Sequence, residues 1–351
     1  MSPAAKLPSR AWVTLLTRTN YIAGAVLLAH SLQKHKSNYP LIILYTPSLP
    51  KECLPALRHE ASLSNAILRP TEPLVPKEQR NLIAARFEDT WTKLRIFELF
   101  DYDKLVFLDA DMLVFRNMDE LFDLELPGKD WIAANHCCVC NLDKDEWAPG
   151  DWVKENCAYT GLTHPTCLDN PVRVPRGGEG LRTHTLLNSG LFICSPYEQL
   201  WTDMLQFLET SPLVKDFMFP DQDFLAEFFR GKWQAVGYQY NALKTMRYWH
   251  PEMWRDEEIR NLHYIVDKPW SKRVGSDGIA GYLGRDGVTH QWWWDEYESW
   301  ENERENVGET AVLDMVRRSS PALERLGAIS TKVNNSHIIP QSNFHAQPTR
   351  A

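Results

Sequence analysis

The sequence lacks any apolar stretch long enough to cross a membrane. Its longest, Tyr21–Ala29, falls well short of the roughly 20 residues that a membrane-spanning helix needs. The first ten residues also lack the apolar core of a secretion signal. We therefore expect a protein without a membrane span, located in the cytoplasm.

Basic clusters are missing as well. The chain has 38 Lys and Arg against 46 Asp and Glu, a net charge of −8, and no stretch is basic enough to follow a phosphate backbone. Nucleic acid is therefore excluded as an expected partner. With 44% hydrophobic and 24% charged residues, the composition is that of an ordinary globular chain with a sizeable core.

Cysteines are few, and five of the seven fall between residues 137 and 167. In a chain without a secretion signal, this favours free thiols or a metal site over disulfides. Cys137 and Cys140 have the Cys-x2-Cys spacing of zinc ligands. One hypothesis is therefore a structural zinc ion held by Cys137, Cys140, Cys157 and Cys167, and the alternative is a set of buried free thiols.

The first 135 residues alternate between strand-like and helix-like patterns. Strands are predicted at Trp12–Leu16, Leu41–Tyr45, Ala66–Leu68 and Lys104–Leu108. Helices are predicted at Tyr21–His35, Pro50–Glu60 and Thr90–Phe100. Strands that alternate with helices predict the α/β class, with a mostly parallel sheet covered on both faces.

The second half of the chain is less regular. Residues 136–186 hold most of the cysteines and several prolines, which indicates a long insertion or loop region. The run Trp292–Trp294, with Tyr297 and Trp300, favours a helix that packs onto the domain over a surface that stacks on sugar rings. Residues 319–351 are polar and are predicted to be disordered.

The most informative local feature is a pair of acids, Asp109 and Asp111, directly after the apolar run Leu105–Leu108. Ligands of open α/β sheets bind outside the carboxyl ends of strands. Two carboxylates there can hold a divalent cation, which neutralises a diphosphate. The alternatives are a simple turn capped by the acids and a haloacid-dehalogenase-like phosphatase with Asp109 as nucleophile.

Several further motifs occur in a fixed order along the chain. They are Trp12–Tyr21, Trp91–Leu94, Phe107–Asp111, Leu187–Gly190, Pro220–Gln222, Tyr240–Asn241 and His263–Trp270. This ordered set resembles the glycogenin-like family 8 glycosyltransferases over residues 12–270. The resemblance implies one Rossmann-like GT-A domain, which we place at residues 10–305. A catalytically silent sugar- or protein-binding module with the same fold is the alternative from another functional class.

The same resemblance implies a reaction and a set of site residues. The reaction is retaining transfer of a hexose, with glucose favoured, from a UDP-sugar to an unidentified acceptor, with Mn2+ or alternatively Mg2+. The metal ligands are Asp109, Asp111 and His263, and Lys268 binds the departing diphosphate. Leu15, Thr17 and Tyr21 correspond to the uridine site, with Tyr21 as the stacking ring, and Lys93 to a position near nucleotide and sugar. Asn188, Asp221, Gln222 and Asn241 correspond to the donor-sugar pocket, and Asp221, Gln222 and Lys268 are the expected catalytic residues.

Two positions qualify this assignment. Taken alone, Asp221–Gln222 favours the start of a helix, which an Asp often caps, and this role can coexist with a role at the sugar. The family often has Gly where this chain has Val266 or Asp267, so the backbone near the phosphates is expected to differ.

Overall fold

The computed structural model describes residues 9–79, 85–177, 179–320 and 322–323, apart from the side chains of 85–88. Within this part of the chain the strands are β1 (Arg10–Leu16), β2 (Leu41–Tyr45), β3 (Ala66–Pro70), β4 (Lys104–Leu108), β5 (Met112–Val114), β6 (Ile132–His136), β7 (Leu187–Cys194), β8 (Trp233–Ala235), β9 (Ala242–Leu243) and β10 (Asn261–His263). The α-helices are α1 (Ile22–Lys34), α2 (Leu54–Leu63), α3 (Glu198–Thr210), α4 (Pro220–Phe228), α5 (Met246–Trp249), α6 (Gly287–Asn306) and α7 (Thr310–Arg318). A 3-10 helix spans Ala85–Glu98.

Seven of these strands form the central sheet, in the order β3-β2-β1-β4-β7-β6-β8. All run in one direction except β7, which is antiparallel to both β4 and β6. The predicted mostly parallel sheet of an α/β protein is therefore confirmed. A smaller sheet, β5-β10-β9, pairs His263 with Met112 and so brings β10 to the end of the acidic turn.

Both faces of the central sheet are covered, because successive side chains of each strand point to opposite sides. On β1 and β4, Trp12 and Val106 belong to the apolar core shared with α1 and α6. Val13 and Phe107 belong to the opposite core, shared with the long 3-10 helix, α3 and α4. This arrangement holds the carboxyl ends of β1 and β4 in a rigid, desolvated frame.

The sequence predictions agree with most of these elements. The predicted strands at Leu41–Tyr45 and Lys104–Leu108 are confirmed at both ends. The helix predicted at Pro50–Glu60 begins later, at Leu54, with Pro55 in its first turn, where a missing N–H is tolerated. The segment predicted as a helix at Thr90–Phe100 is the 3-10 helix. The predicted tail, 319–351, lies outside the described residues except for 319, 320, 322 and 323.

The tryptophan run lies on α6, and the packing interpretation is confirmed. Trp293, Trp294, Tyr297 and Trp300 are all buried there. Among the described helices, none has both the length and the apolar character required to span a bilayer.

A buried ion pair joins α6 to α2. Arg304 donates from Nε and Nη2 to the two carboxylate oxygens of Glu60, at 2.7 and 2.8 Å. Trp300 Nε1 donates to the same carboxylate at 3.0 Å. Because Glu60 is buried, its charge depends on these donors for compensation.

We expect Arg304→Ala to lower the free energy of unfolding by about 3–5 kcal/mol, because it leaves the Glu60 carboxylate buried without its cation. Urea denaturation followed by circular dichroism measures the change. The matched control is Arg318→Ala on α7, where the side chain is 77% exposed, and it should change stability by about 0.5 kcal/mol or less. Equal effects of the two substitutions would contradict the role of the pair.

Candidate active site

A cleft of about 500 Å³ opens at the carboxyl ends of β1 and β4. Most of the predicted site residues line it, namely Leu15, Thr17, Tyr21, Lys93, Asp109, Asp111, Asn188, Asp221, Gln222, His263 and Lys268. The remaining one, Asn241, is buried immediately behind His263. The tertiary structure therefore brings together residues that lie far apart in the sequence.

The acidic turn that follows β4 is held from several sides. Asp109 N donates to Gly190 O, and Tyr264 N donates to Asp111 O, both at 2.9 Å. On the other side, helix α1 packs so closely that a Cβ on Gly24 would lie 2.2 Å from Ala110 O. Only glycine allows this approach, and the turn is thereby fixed against α1.

His263 completes a group of three metal-binding side chains. Its Nε2 lies 3.3 Å from Asp111 Oδ1 and 3.7 Å from Asp109 Oδ2. One ligand atom from each of the three residues lies within 4.8 Å of the others. Two carboxylates and an imidazole are a donor set that can hold a divalent cation. The three predicted ligands thus converge on a site that fits one divalent cation.

The orientation of His263 is set by a chain of amide side chains. His263 Nδ1 is hydrogen bonded to Asn241 Oδ1 at 2.9 Å, which directs Nε2 toward the acids. Asn241 Nδ2 donates to Asn188 Oδ1 at 2.8 Å, and Asn188 Nδ2 donates to Gln222 Oε1 at 3.1 Å. A Cβ on Gly190 would lie 2.4 Å from His263 Cε1, so glycine leaves the space that the ring fills.

Lys93 compensates the charge of two acids, of which Asp221 is buried and Asp109 is half-buried. Its Nζ lies 2.9 Å from Asp109 Oδ1 and 2.5 Å from Asp221 Oδ2. Burial by itself would lower the pKa of Lys93, but the two carboxylates outweigh it and raise that pKa. Lys93 is therefore a permanent cation at the floor of the cleft.

The capping interpretation of Asp221 is wrong. Its carboxylate accepts from Ser189 Oγ at 2.6 Å and pairs with Lys93 instead of with the backbone at the start of α4. Asp223, in the first turn of α4, instead accepts at Oδ2 from Met218 N and Phe219 N, just before the helix, at 2.8 and 2.9 Å. Asp221 is consequently a member of the buried charge network.

Lys268 is the second cation of the cleft. Its Nζ contacts Asp111 Oδ2 and donates to Tyr264 O at 2.8 Å. Burial opposes the charge of Lys268, but Asp111 outweighs burial and raises the pKa of the amine. The Nζ also lies 5.9 Å from the centre of the Tyr21 ring, so acids, cation and ring share one end of the cleft.

Some residues of the cleft carried no recognisable sequence signal. Asp89 accepts from Thr17 Oγ1 at 3.2 Å and pairs with Arg18 Nε at 2.5 Å, although no motif includes it.

The opposite wall comes from the cysteine-rich insertion and from α5. Its polar and aromatic residues are Asn141, Asp145, Trp147, Trp152 and Trp249. The loop conformation that places these residues in the cleft cannot be predicted from their spacing in the sequence.

The zinc hypothesis for Cys137, Cys140, Cys157 and Cys167 is wrong, because these four thiols do not converge. Cys137 Sγ accepts from Gln222 Nε2 at 3.8 Å, and Cys167 Sγ donates to Met253 O at 3.8 Å. All seven cysteines are free. Neighbouring side chains of an extended chain point to opposite sides, so Cys137 faces Gln222 while Cys138 faces His250.

Solved structures show which class of protein has this fold. The galactosyltransferase LgtC, in complex with donor and acceptor sugar analogs, superposes with a TM-score of 0.52 at 17% identity, covering 81% of this chain and 94% of that one. The glycosyltransferase GlyE of Streptococcus pneumoniae gives 0.53 at 19%, covering 82% and 60%. The fold is therefore that of the GT-A glycosyltransferases.

Sequence comparison then identifies the family. The profile of Glycosyl transferase family 8 matches residues 12–273, and the chain belongs to that family. Galactinol synthase 1 of Solanum lycopersicum is 31% identical over 329 residues, 90% of this chain and 91% of its own. Galactinol synthase 4 of Arabidopsis thaliana is 30% identical over 298 residues, 83% and 81% of the two chains. The protein is a glycosyltransferase, and the phosphatase and silent-module alternatives are not favoured.

Val266 lies at the edge of the cleft in a backbone conformation that glycine prefers. Its φ is +63°, in the left-handed region, and the side chain is 45% exposed. For an L-residue this region costs roughly 1–2 kcal/mol, and a β-branched side chain is among the least tolerant. Val266 therefore carries local backbone strain, and the expected difference in the backbone near the phosphates stays a prediction.

We expect Val266→Gly to leave stability unchanged or raise it by up to about 1 kcal/mol, because relief of strain offsets the entropy of glycine in the unfolded chain. Thermal unfolding measures the effect. Ile265→Gly is the control, since Ile265 has no positive φ, and it should be clearly destabilising. If both substitutions destabilise equally, the strain at Val266 is not significant.

Proposed function

We propose that this protein transfers a galactosyl group from UDP-galactose to a small polyol of the inositol type, with retention of anomeric configuration and with Mn2+ as cofactor. One observation carries the proposal: three convergent metal-binding side chains and the half-buried Lys268 lie beside a ring that can stack on a nucleobase. The donor and acceptor follow the relatives named for the synthesis of galactinol, a galactoside of inositol.

The leaving group determines what the acidic end of the cleft has to do. A divalent cation held by Asp109, Asp111 and His263 would neutralise the diphosphate of the donor and stabilise its departure. Lys268 adds a fixed positive charge at the same end. Tyr21, Thr17 and Leu15 line the neighbouring wall, where the uridine is proposed to bind.

The middle of the cleft provides hydrogen bonds for the sugar. Asn188 and Gln222 are held in a fixed relation by their mutual hydrogen bond. In the proposed transfer the bond from C1 to the diphosphate oxygen breaks, and a bond from C1 to the acceptor oxygen forms on the same face. The hydroxyl proton passes to an oxygen of the departing diphosphate. Gln222 is a neutral amide, so it orients the reacting groups and takes up no proton.

The wall opposite the acids suits an uncharged polyhydroxylated acceptor. Trp152 stacks on Phe219 with ring centres 6.2 Å apart, and Trp147 packs edge-on against both rings. Asn141 and Asp145 supply hydrogen-bonding groups beside these rings. Flat apolar surfaces next to polar groups match the alternating faces of a cyclic polyol.

We expect wild-type protein to bind UDP only when Mn2+ is present, and Asp111→Ala to lose this binding because it removes a metal ligand. Isothermal titration calorimetry with and without Mn2+ measures the effect. Asp314→Ala is the control, because Asp314 is an exposed carboxylate on α7 and its loss should leave binding unchanged. Full UDP binding by Asp111→Ala would contradict the metal site.

We expect Lys268→Ala to reduce kcat roughly 100-fold or more, because the developing charge on the diphosphate loses a fixed cation. Release of UDP from the donor in the presence of acceptor measures the rate. Lys272→Ala removes an exposed lysine four residues away and should be nearly silent. A change of only a few-fold in Lys268→Ala would exclude Lys268 as the leaving-group cation.

The donor and acceptor are tested together. UDP-galactose and UDP-glucose are each supplied separately with inositol, and the first product is analysed by mass spectrometry and NMR. A galactosyl-inositol with the α-configuration of the donor is the expected result. Faster transfer from UDP-glucose would instead support the donor that the resemblance favours, and inversion would reject the retaining mechanism.

A further inference from the structure

A second cluster of metal-binding side chains lies away from the acidic turn. It consists of Cys138, Cys140 and Cys157 from the insertion and His250 from the end of α5. His250, Cys140 and Cys157 are buried, and Cys138 is half-buried. All four ligand atoms lie within 4.8 Å of one another. No other function described so far uses these groups.

The distances in this cluster are those of ligands around one tetrahedral ion. Zn–S bonds of about 2.3 Å and Zn–N bonds of about 2.0–2.1 Å at tetrahedral angles place two sulfurs about 3.8 Å apart and a sulfur and a nitrogen about 3.6 Å apart. Cys138 Sγ and Cys157 Sγ are 3.8 Å apart. His250 Nε2 lies 3.4, 3.2 and 3.7 Å from the sulfurs of Cys138, Cys140 and Cys157.

A disulfide does not account for the same arrangement. The two sulfurs of a disulfide would be about 2.05 Å apart. A disulfide would also not explain why the third thiol and the imidazole lie in the same cluster. We propose that Cys138, Cys140, Cys157 and His250 bind one structural zinc ion. Three thiolates with one imidazole form a closed set of four ligands, which is typical of structural zinc. Since all four positions belong to protein side chains, no open position is available for catalysis.

Local structure explains why these residues meet. Cys138 and Cys140 are separated by one residue in the extended chain that continues from β6, so they point to the same side. Cys157 follows a 3-10 turn, Lys154–Asn156, and its N–H donates to Lys154 O at 3.1 Å. His250 ends α5, where its N–H donates to Met246 O at 2.8 Å.

The position of the cluster suggests what the ion would stabilise. The chain between Cys140 and Cys157 carries Asn141, Asp145, Trp147 and Trp152, which form the wall of the cleft opposite the acids. Apart from the three-residue 3-10 turn Lys154–Asn156, this segment has no helix or strand among its described residues. A metal that joins both of its ends to α5 would hold the wall in place without further secondary structure.

The primary test is the metal content of the full chain, purified from zinc-containing medium and dialysed against EDTA to clear weakly held ions. Elemental analysis should find one zinc per chain, retained in Asp111→Ala, which separates this ion from one bound at the acidic turn. Less than about one tenth of an equivalent in the wild type, with the thiols titrating freely, would overturn the proposal. Iron or copper at full occupancy would overturn its identity as zinc.

Substitutions of single cysteines test whether these four residues bind the ion. Cys140→Ser should lower the zinc content at least tenfold, whereas Cys167→Ser should keep one zinc per chain, because Cys167 lies outside the cluster. Full zinc in Cys140→Ser, or its loss in Cys167→Ser, would overturn the assignment. Should Cys140→Ser fail to fold, cobalt-substituted wild type replaces it, and the expected readout is the intense visible spectrum of tetrahedral cobalt with thiolate ligands. An octahedral, pale spectrum would count against the proposal.

Discussion

The active-site cleft depends on holding three neighbouring carboxylates close together, two of them buried and one half-buried. Asp109, Asp111 and Asp221 would repel one another and protonate if the surrounding structure supplied no positive charge. Lys93 bridges Asp109 and Asp221, and Lys268 contacts Asp111. Each lysine comes from a different part of the chain, so the charge balance of the site forms only when the whole domain has folded.

Folding of the whole domain also determines the orientation of the His263 imidazole. The hydrogen-bonded series from His263 through Asn241 and Asn188 to Gln222 crosses the cleft from the acidic end to the sugar region. Removal of any member would leave buried amide groups unsatisfied. One network therefore connects the proposed metal site with the proposed sugar site, and Gly190 provides the space in which it is assembled.

The net charge of −8 gave no indication of the site that we propose for an anionic nucleotide. The lysines and the proposed cation reverse the sign of the potential locally, within a chain that is acidic as a whole.

The cysteine-rich insertion acts at the other end of the cleft. It contributes the aromatic and polar wall that faces the acids, and the proposed zinc cluster stands at the base of that wall.

The sequence by itself determined the α/β class, two strands to the residue and the family, because buried strands and ordered motifs leave local signals. β2 and β4 are examples, since each is a short apolar run bounded by polar residues. Only the tertiary structure decided which distant side chains meet. His263 is 152 residues from Asp111, and His250 is far from the three cysteines that it joins. The hydrogen bonds of Asp223 to the backbone before α4 and the left-handed conformation of Val266 were also decided by the tertiary structure. Such contacts depend on the order of the strands in the sheet and on the path of the loops, so no local sequence pattern predicts them.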